Sequence, residues 1–398
     1  MAGNRTIPRL WRDSVARNTG TAYLVDEGDA WREVSWADAA ERVELLANGL
    51  LARGVRKGDP FGILARTTLE WSLFDFALGH VGAIGVGIYA NSSPRDVQYV
   101  LAHSEAVGVV CEDDAQRAKV EEGRGELPAL REVLTFGDLA ALEEDGRAHR
   151  AAHPTALDDA VGAIDEEDLF TFIYTSGTTG PPKGCMIRHR NYHAMVSVND
   201  QLPDHGGAGD VLLLYLPLAH NYGRLVHLSA PYVGYTTAFL SEPLEVARAM
   251  PQVRPTILPS VPRIYEKVHT AVTSTFAEAT GTRRKLIDWA LGVGRRASAL
   301  EQQDKPVPRG LAMQVSLADR LVFSKVKERL GGRLRIPISG GAPLAKEVAE
   351  FFHAMGISIR EGYGLTECTT AATTNRADRY RFGTVGPALP GFELRVAE

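Results

Sequence analysis

Apolar positions along this chain alternate between two periods. In residues 34–52 (VSWADAAERVELLANGLLA) they recur at helical spacing, at Ala39, Val43, Leu46 and Leu50, which predicts an amphipathic helix. Ser35 is placed to cap its start and Gly54 to end it. The apolar run 61–64 (FGIL) then predicts a strand, 69–80 a helix, 82–89 (GAIGVGIY) a strand, 94–103 a helix and 107–111 a strand. Strand and helix taking turns in this way predict an α/β fold with mostly parallel sheets. Residues 112–163 are richer in charge and alanine and read as peripheral.

The alternation resumes at Asp168. Residues 169–174 (LFTFIY), 211–216 (VLLLYL), 235–240 (YTTAFL) and 334–339 read as strands. From 264 to 330 the spacing is helical, broken at 305–308 (KPVP) and closed by Gly331 and Gly332. The last stretch, 384–398, reads as the start of a small β unit, and there is no internal repeat. The expected organisation is a first α/β subdomain over 1–165, a second over 166–383 and that β unit.

Composition narrows the classes. With 398 residues, 44% hydrophobic, and a mean hydropathy of −0.12, the chain reads as an ordinary globular protein of two or three packed units. A net charge of −5 argues against a nucleic-acid partner. No apolar run reaches membrane-spanning length, and the N-terminus lacks the apolar core of a signal peptide. Cys111, Cys185 and Cys368 are too scattered for a disulfide framework or a zinc site. A cytoplasmic location is the expectation.

The stretch 174–184, YTSGTTGPPKG, carries the strongest chemical signal. It sets Thr175, Ser176, Thr178 and Thr179 among Gly177 and Gly180, with one Lys183, directly after a predicted strand. Glycines let backbone N–H groups converge on an anion, hydroxyls donate further bonds and lysine adds a point charge. That predicts a phosphate-binding loop. Lys183 is followed by Gly184, so the spacing is not that of a Walker A loop. A Gly/Ser/Thr linker has a similar composition, but accounts for neither the strand before it nor the stiff Pro181-Pro182 exit.

Three further segments are candidates. In 361–368, EGYGLTEC, Tyr363 lies between Gly362 and Gly364 and can lie flat on a planar base. Thr366 can bond a phosphate there, and Glu367 is the kind of carboxylate that Mg²⁺ takes in company with phosphates. In 338–344, ISGGAPL, the pair Gly340-Gly341 marks a turn between a strand and a helix starting near Pro343. In 216–224, LPLAHNYGR, His220 follows a strand, where α/β sites gather.

Taken together, these segments closely resemble the core motifs of the adenylate-forming superfamily: acyl-CoA synthetases, firefly luciferase and peptide-synthetase adenylation domains. The resemblance implies an enzyme that activates a carboxylic acid with ATP and Mg²⁺. By it, Thr175 to Gly180 and Lys183 hold the phosphates, and Gly340, Gly341, Ala342 and residues 361–364 (Glu361, Gly362, Tyr363, Gly364) form the adenine site. Thr366 contacts the α-phosphate, Glu367 holds Mg²⁺, and His220 gates the carboxylate pocket. No acidic residue falls between Val211 and Ser241 to pair with an α-ammonium group, so an amino acid is not the expected substrate.

Residues 254–268, RPTILPSVPRIYEKV, with the helical stretch 269–329, resemble the long-chain fatty acid–CoA ligase branch. Fatty acid, ATP and coenzyme A are then the expected small-molecule partners, with peripheral membrane contact suiting an acyl substrate. A fatty acyl-AMP ligase loading a carrier protein and a non-catalytic adenylate- or acyl-binding module stay open. The resemblance also implies a ribose-binding aspartate and a small C-terminal domain beyond Glu398. The expectation is therefore a chain that binds nucleotide and turns over poorly.

Overall fold

A computed structural model describes residues 5–175, 180–204 and 206–396. The chain falls into two compact units, Met1–Asn199 with Leu214–Pro243, and Asp200–Leu213 with Leu244–Glu398. The strands of the first segment are β1 (Thr21–Asp26), β2 (Trp31–Ser35), β3 (Pro60–Ala65), β4 (Ile84–Tyr89), β5 (Gly108–Cys111), β6 (Glu132–Thr135), β7 (Leu169–Thr175) and β8 (Lys183–Arg188). After β9 (Val211–Leu214), which belongs to the second unit in all but its last residue, β10 (Thr236–Phe239) lies in the first.

Six strands of the first unit stand in the order β6-β5-β3-β4-β7-β8. All neighbours are parallel except the β7–β8 hairpin. Beside them, β1 pairs parallel with β10 and antiparallel with β2. The expected helix at 69–80 runs Leu69–Val81, and every residue of it except Glu70 is buried. The hydroxyl of Thr68 caps its start, and Gly82, at φ +73°, supplies the left-handed turn that ends it. An all-round apolar helix of this kind belongs in a core.

Residues 112–163 are more than peripheral. They supply β6, the edge strand of the sheet, and the helix Leu139–Ala152. That helix packs on Trp36–Ala52 with almost no side chain between the two backbones. A Cβ on Gly146 would come within 1.9 Å of the Leu45 carbonyl oxygen, and one on Gly49 within 2.2 Å of that of Leu142. Charged outer faces hide this buried stripe from a composition-based reading.

In the second unit β9, β11 (Ile257–Ser260), β12 (Ile336–Ser339) and β13 (Arg360–Tyr363) are parallel neighbours, and β14 (Thr373–Thr374) pairs antiparallel with β13. Between β11 and β12 the chain is helical: Pro262–Ala277, Gly281–Glu301, Arg309–Ala318, a π turn Asp319–Phe323 and Ser324–Arg329. Gly331 and Gly332, at φ +88° and +73°, end this run, with the Gly332 N–H bonded to the Lys327 carbonyl. Residues 384–396 hold no strand. One isolated bridge joins Ala388 to Thr373.

Three histidines are buried in the first unit's core. Burial lowers His80 and His189 to about 4 and His227 to about 3. An unfolded chain protonates such rings near 6.5. Since the folded values lie below the unfolded one, the stability they confer is complete above roughly pH 6.5 and is lost as pH falls through 4 towards 3. His80 and His189 each contribute about 3 kcal/mol to that loss and His227 about 5 kcal/mol. Urea midpoints should therefore hold level from pH 7.5 to about pH 6.5 and fall steadily from there to pH 4.5. A midpoint constant over that range would contradict the burial of these rings as neutral species.

Candidate active site

The expected phosphate loop spans the β7–β8 hairpin. Ser176, Gly177, Thr178 and Thr179 lie outside the described residues. Its stem is described: Thr175 stands opposite Lys183, and Tyr174 opposite Gly184. Gly180 has φ +87°, where a side chain would be strained. Lys183 is exposed and, among the described residues, has no ion pair or hydrogen bond. The helix Pro94–His103 braces the stem. From it Tyr99 donates its hydroxyl to the Pro182 carbonyl at 2.9 Å, and His103 Nδ1 lies 2.9 Å from the Tyr174 hydroxyl.

His220 sits at the start of the helix Asn221–Val233 and is its N-cap. Its Nδ1 accepts the Tyr222 N–H at 3.1 Å. The ring is thereby held with Nδ1 as acceptor and Nε2 as the protonated nitrogen of the neutral form. Desolvation lowers its pKa, and the positive end of the helix opposes a second proton in the same sense. The turn before it is tied down by Thr67, whose hydroxyl donates to the Leu216 carbonyl at 2.8 Å. A Cβ on Gly223 would meet the Pro217 carbonyl oxygen at 2.4 Å, so only glycine lets the helix start fold onto that turn.

Beneath this segment lies a buried charge that sequence reading missed. Arg224 pairs with Asp75 and donates to Thr171 Oγ1 at 2.6 Å, and both charged side chains are fully buried. Thr171 in turn donates to the Gly85 carbonyl at 2.6 Å. The guanidinium carbon lies 4.8 Å from the Phe170 ring and 5.2 Å from the Trp71 ring. Burial pushes the Asp75 carboxyl up, and the Arg224 charge opposes that. Room for the pair comes from Gly85, where a Cβ would meet Arg224 Nη2 at 2.9 Å. Two residues on, a Cβ on Gly87 would meet the Ala219 Cα at 2.8 Å. Both glycines share one face of β4. The GVG of that strand is the signal in the sequence: it marks a strand face that another backbone approaches. Since Thr171 is on β7, the network joins the start of the His220 helix to the strand that ends in Thr175.

The second unit carries the other motifs at the ends of its strands. The Gly340 N–H bonds to the Ser260 carbonyl at 3.1 Å, just past β12. Gly341 has φ +82°, and Gly341 and Ala342 are exposed. The next helix starts at Lys346 rather than near Pro343. The Leu344 N–H is taken instead by the buried carboxylate of Glu361, at 3.0 Å. From the motif 254–268, Tyr265 donates its hydroxyl towards two carbonyls, Leu258 and Ile338, each at 3.1 Å, joining β11 to β12.

After Glu361 the chain makes a tight turn. Gly362 pairs with Thr374, and a Cβ on Gly364 would lie 1.4 Å from the Thr370 carbonyl oxygen. Thr369 and Thr370 take φ +61° and +96°, values that β-branched residues avoid. This turn leaves the Tyr363 side chain 47% exposed. Glu367 is exposed and, among the described residues, has no ion pair or hydrogen bond. Thr366 lies between them in the short helical turn Thr366–Cys368. Among the described residues no three His, Cys, Asp or Glu side chains gather into a metal site. A lone free carboxylate fits a Mg²⁺ ion that takes its remaining ligands from substrate phosphates and water.

The sequence profile described as "AMP-binding enzyme" matches residues 11–398. The chain belongs to the AMP-binding enzyme family. It is 36% identical over 379 residues to the long-chain-fatty-acid–CoA ligase FadD15 of Mycobacterium bovis, covering 92% of this chain and 61% of that protein. Fatty acyl-CoA synthetase A of Dictyostelium discoideum is 30% identical over 98% of this chain and 59% of its own length. The chain thus spans about three fifths of these curated relatives. Among solved structures, anthranilate CoA ligase AuaEII in complex with anthranoyl-AMP superposes with a TM-score of 0.74 at 20% identity, over 100% of this chain and 66% of that one. The N-terminal domain of FACL13 from Mycobacterium tuberculosis gives 0.71 at 19% identity, over 97% and 83%. At such identities the likeness is one of fold, that of adenylate-forming enzymes.

For this AMP-binding enzyme the ion pair beneath His220 makes a direct prediction. Arg224→Met leaves Asp75 buried without its cation and should cost about 3–5 kcal/mol. Adding Asp75→Leu should recover part of that loss, because the unpaired charge goes too. Guanidinium unfolding of the single and double variants measures both. A single variant within 1 kcal/mol of the parent, a threshold well below the range for broken buried pairs, would show that the pair does not hold this region.

Proposed function

We propose that this chain is the nucleotide- and acid-binding part of an enzyme that activates a long-chain fatty acid with ATP, forming acyl-AMP and releasing pyrophosphate, on the way to acyl-CoA. One observation carries the reading. Lys183, the Tyr363 ring and Glu367 each stand at a motif position, exposed and without a side-chain partner among the described residues. Exposed side chains are commonly solvated, so it is the coincidence of all three with motif positions that supports the reading. The names of the curated relatives support the substrate class.

In the proposed reaction a carboxylate oxygen attacks the α-phosphorus, and the bond from that phosphorus to the bridging oxygen of pyrophosphate breaks. The contributions of this chain are positional and electrostatic. Lys183 and the hydroxyls at 175, 176, 178 and 179 hold the β- and γ-phosphates. Tyr363 stacks on adenine, next to the backbone of Gly340, Gly341, Ala342 and Gly362. Glu361 holds that wall through Leu344. Thr366 donates to the α-phosphate. Glu367 is the residue that would hold Mg²⁺, which neutralises charge on the departing pyrophosphate. His220, neutral and fixed as a helix cap, offers Nε2–H beside the carboxylate. In the second step the thiolate sulfur of coenzyme A attacks the acyl carbon, the bond from that carbon to the phosphate oxygen breaks, and AMP leaves.

Two measurements test this. Glu367→Gln should lower the rate of pyrophosphate release roughly 10²-fold and raise the Mg²⁺ concentration needed for half-maximal ATP binding, while the fold stays intact. An unchanged Mg²⁺ titration would reduce Glu367 to a surface carboxylate. Acid affinity should rise by up to about fourfold for each added methylene. Acetate and palmitate used equally well would rule out a long-chain pocket.

A further inference from the structure

The end of the helix Leu139–Ala152 carries a pair of side chains that the proposed reaction does not use. His149 and His153 stand four residues apart. The His153 N–H bonds to the His149 carbonyl at 2.8 Å, so the last helical bond runs between them, and Pro154 then stops the helix. Residues spaced in this way lie one above the other on a single face. Their imidazole centroids are 5.0 Å apart. Two imidazoles bound to one ion through nitrogen, at about 2.0–2.1 Å each, place their centroids roughly 4.5–5 Å apart when the angle at the ion lies between a right angle and a tetrahedral one.

His149 is already oriented as a ligand. Its Nδ1 lies 3.0 Å from Asn48 Oδ1, and the Asn48 amide is fixed that way round because its Nδ2 donates to the Glu44 carbonyl at 3.0 Å. An amide oxygen only accepts, so Nδ1 carries the proton and the lone pair of the neutral ring is on Nε2. A partner on the far nitrogen that fixes the tautomer is the outer-shell arrangement of metal-bound histidines. Asn48, buried at 2% exposure, reaches the ring because it precedes Gly49, where the two helix backbones touch. Desolvation lowers the His149 pKa, and the His153 ring adds to that, so His149 is neutral near pH 7 as a ligand must be. His153 is exposed, and its imidazole has no hydrogen bond or ion pair among the described residues. Arg150, which follows His149, is held by Glu41 and Glu44 at 2.7 and 3.6 Å. Two carboxylates against one guanidinium leave the neighbourhood favourable to a cation.

We propose that His149 and His153 together bind a divalent transition-metal ion, with Nε2 of His149 as one ligand, the His153 imidazole as the other and water in the remaining positions. Imidazole suits Zn²⁺, Cu²⁺ and Ni²⁺, whereas Mg²⁺ takes oxygen ligands. Two protein ligands make an open, reversible site rather than the closed four-ligand kind that zinc takes in structural sites. The ion clips the last turn of the helix, which would otherwise fray, and so links metal to the stability of the packed helix pair. This inference does not depend on the proposed reaction, because none of these residues has a place in it.

The test is calorimetric titration of the untagged chain with Zn²⁺, in excess Mg²⁺. A site that Mg²⁺ does not displace is expected. His149→Ala and His153→Ala should each weaken it at least about tenfold, since losing an outer-shell partner alone costs roughly 10–100-fold. Cu²⁺ supplies a second readout: its paramagnetic resonance spectrum should show coupling to two nitrogens in the parent and to one in each variant. Zn²⁺ should also raise the melting temperature of the parent and not that of either variant. Melts without metal confirm that the variants fold, as both rings reach the surface. No Zn²⁺ binding by the parent, displacement by Mg²⁺, or a histidine variant that binds like the parent would each overturn the proposal. Pyrophosphate release measured without transition metal should be the same in parent and variants.

Discussion

The first unit depends on how closely a second backbone can approach β4. Gly85 and Gly87 clear one face of that strand, and into the space come the Arg224 guanidinium and the Ala219 backbone. A guanidinium fully out of water survives only with its charge matched and its donors used. Asp75 matches the charge, Thr171 takes a second donor and the rings of Trp71 and Phe170 lie against the guanidinium, all from two elements, the helix Leu69–Val81 and β7. The ion pair therefore adds less to net stability than it does to geometry. It fixes where the helix Asn221–Val233 begins, and so where His220 points. The same Thr171 belongs to the strand that leads to Thr175, so a single network positions the start of the β7–β8 hairpin and the capping histidine.

In the second unit the constraint is backbone crowding. Gly362, Gly364 and Gly386 lie where any Cβ would be in tight contact or collision with a neighbouring strand or turn, and Thr369 and Thr370 take conformations that β-branched residues avoid. Strain of that kind persists only where the surroundings over-determine it, and it concentrates at functional sites. Its visible result is that Tyr363 and Glu367 are held outward while Glu361, in the same motif, is turned inward onto the Leu344 N–H. The motif thus splits its own residues between support and contact.

Much of this was legible in the sequence. Helical periodicity with a hydroxyl cap before it and a glycine after it located the helix at 36–52, and apolar patterning alone located those at 69–81 and 94–103, because these are local properties. The glycine-rich motifs were legible for the same reason: the turn chemistry is written in consecutive residues. The Arg224–Asp75 pair was not, since its partners are 149 positions apart and each reads alone as an ordinary surface charge. The packing of residues 139–152 on 36–52 was hidden because small residues at a close contact look like a weak hydrophobic pattern. A histidine N-cap escaped because Ser, Thr, Asp and Asn are the residues expected there. Glu361 shows the converse limit: a motif says which residues gather, and only the fold says which of them turn away.

The account rests on Tyr363 being exposed for adenine rather than for the fold. Equilibrium titration of the chain with a hydrolysis-resistant analogue of palmitoyl-AMP, compared with Tyr363→Ala, tests that most directly. Loss of one aromatic stacking contact on a base should weaken binding by about 1–3 kcal/mol, roughly five- to 150-fold, with thermal stability unchanged because the ring is already half in solvent. Equal affinity in the two proteins, or no binding by the parent chain, would contradict the account.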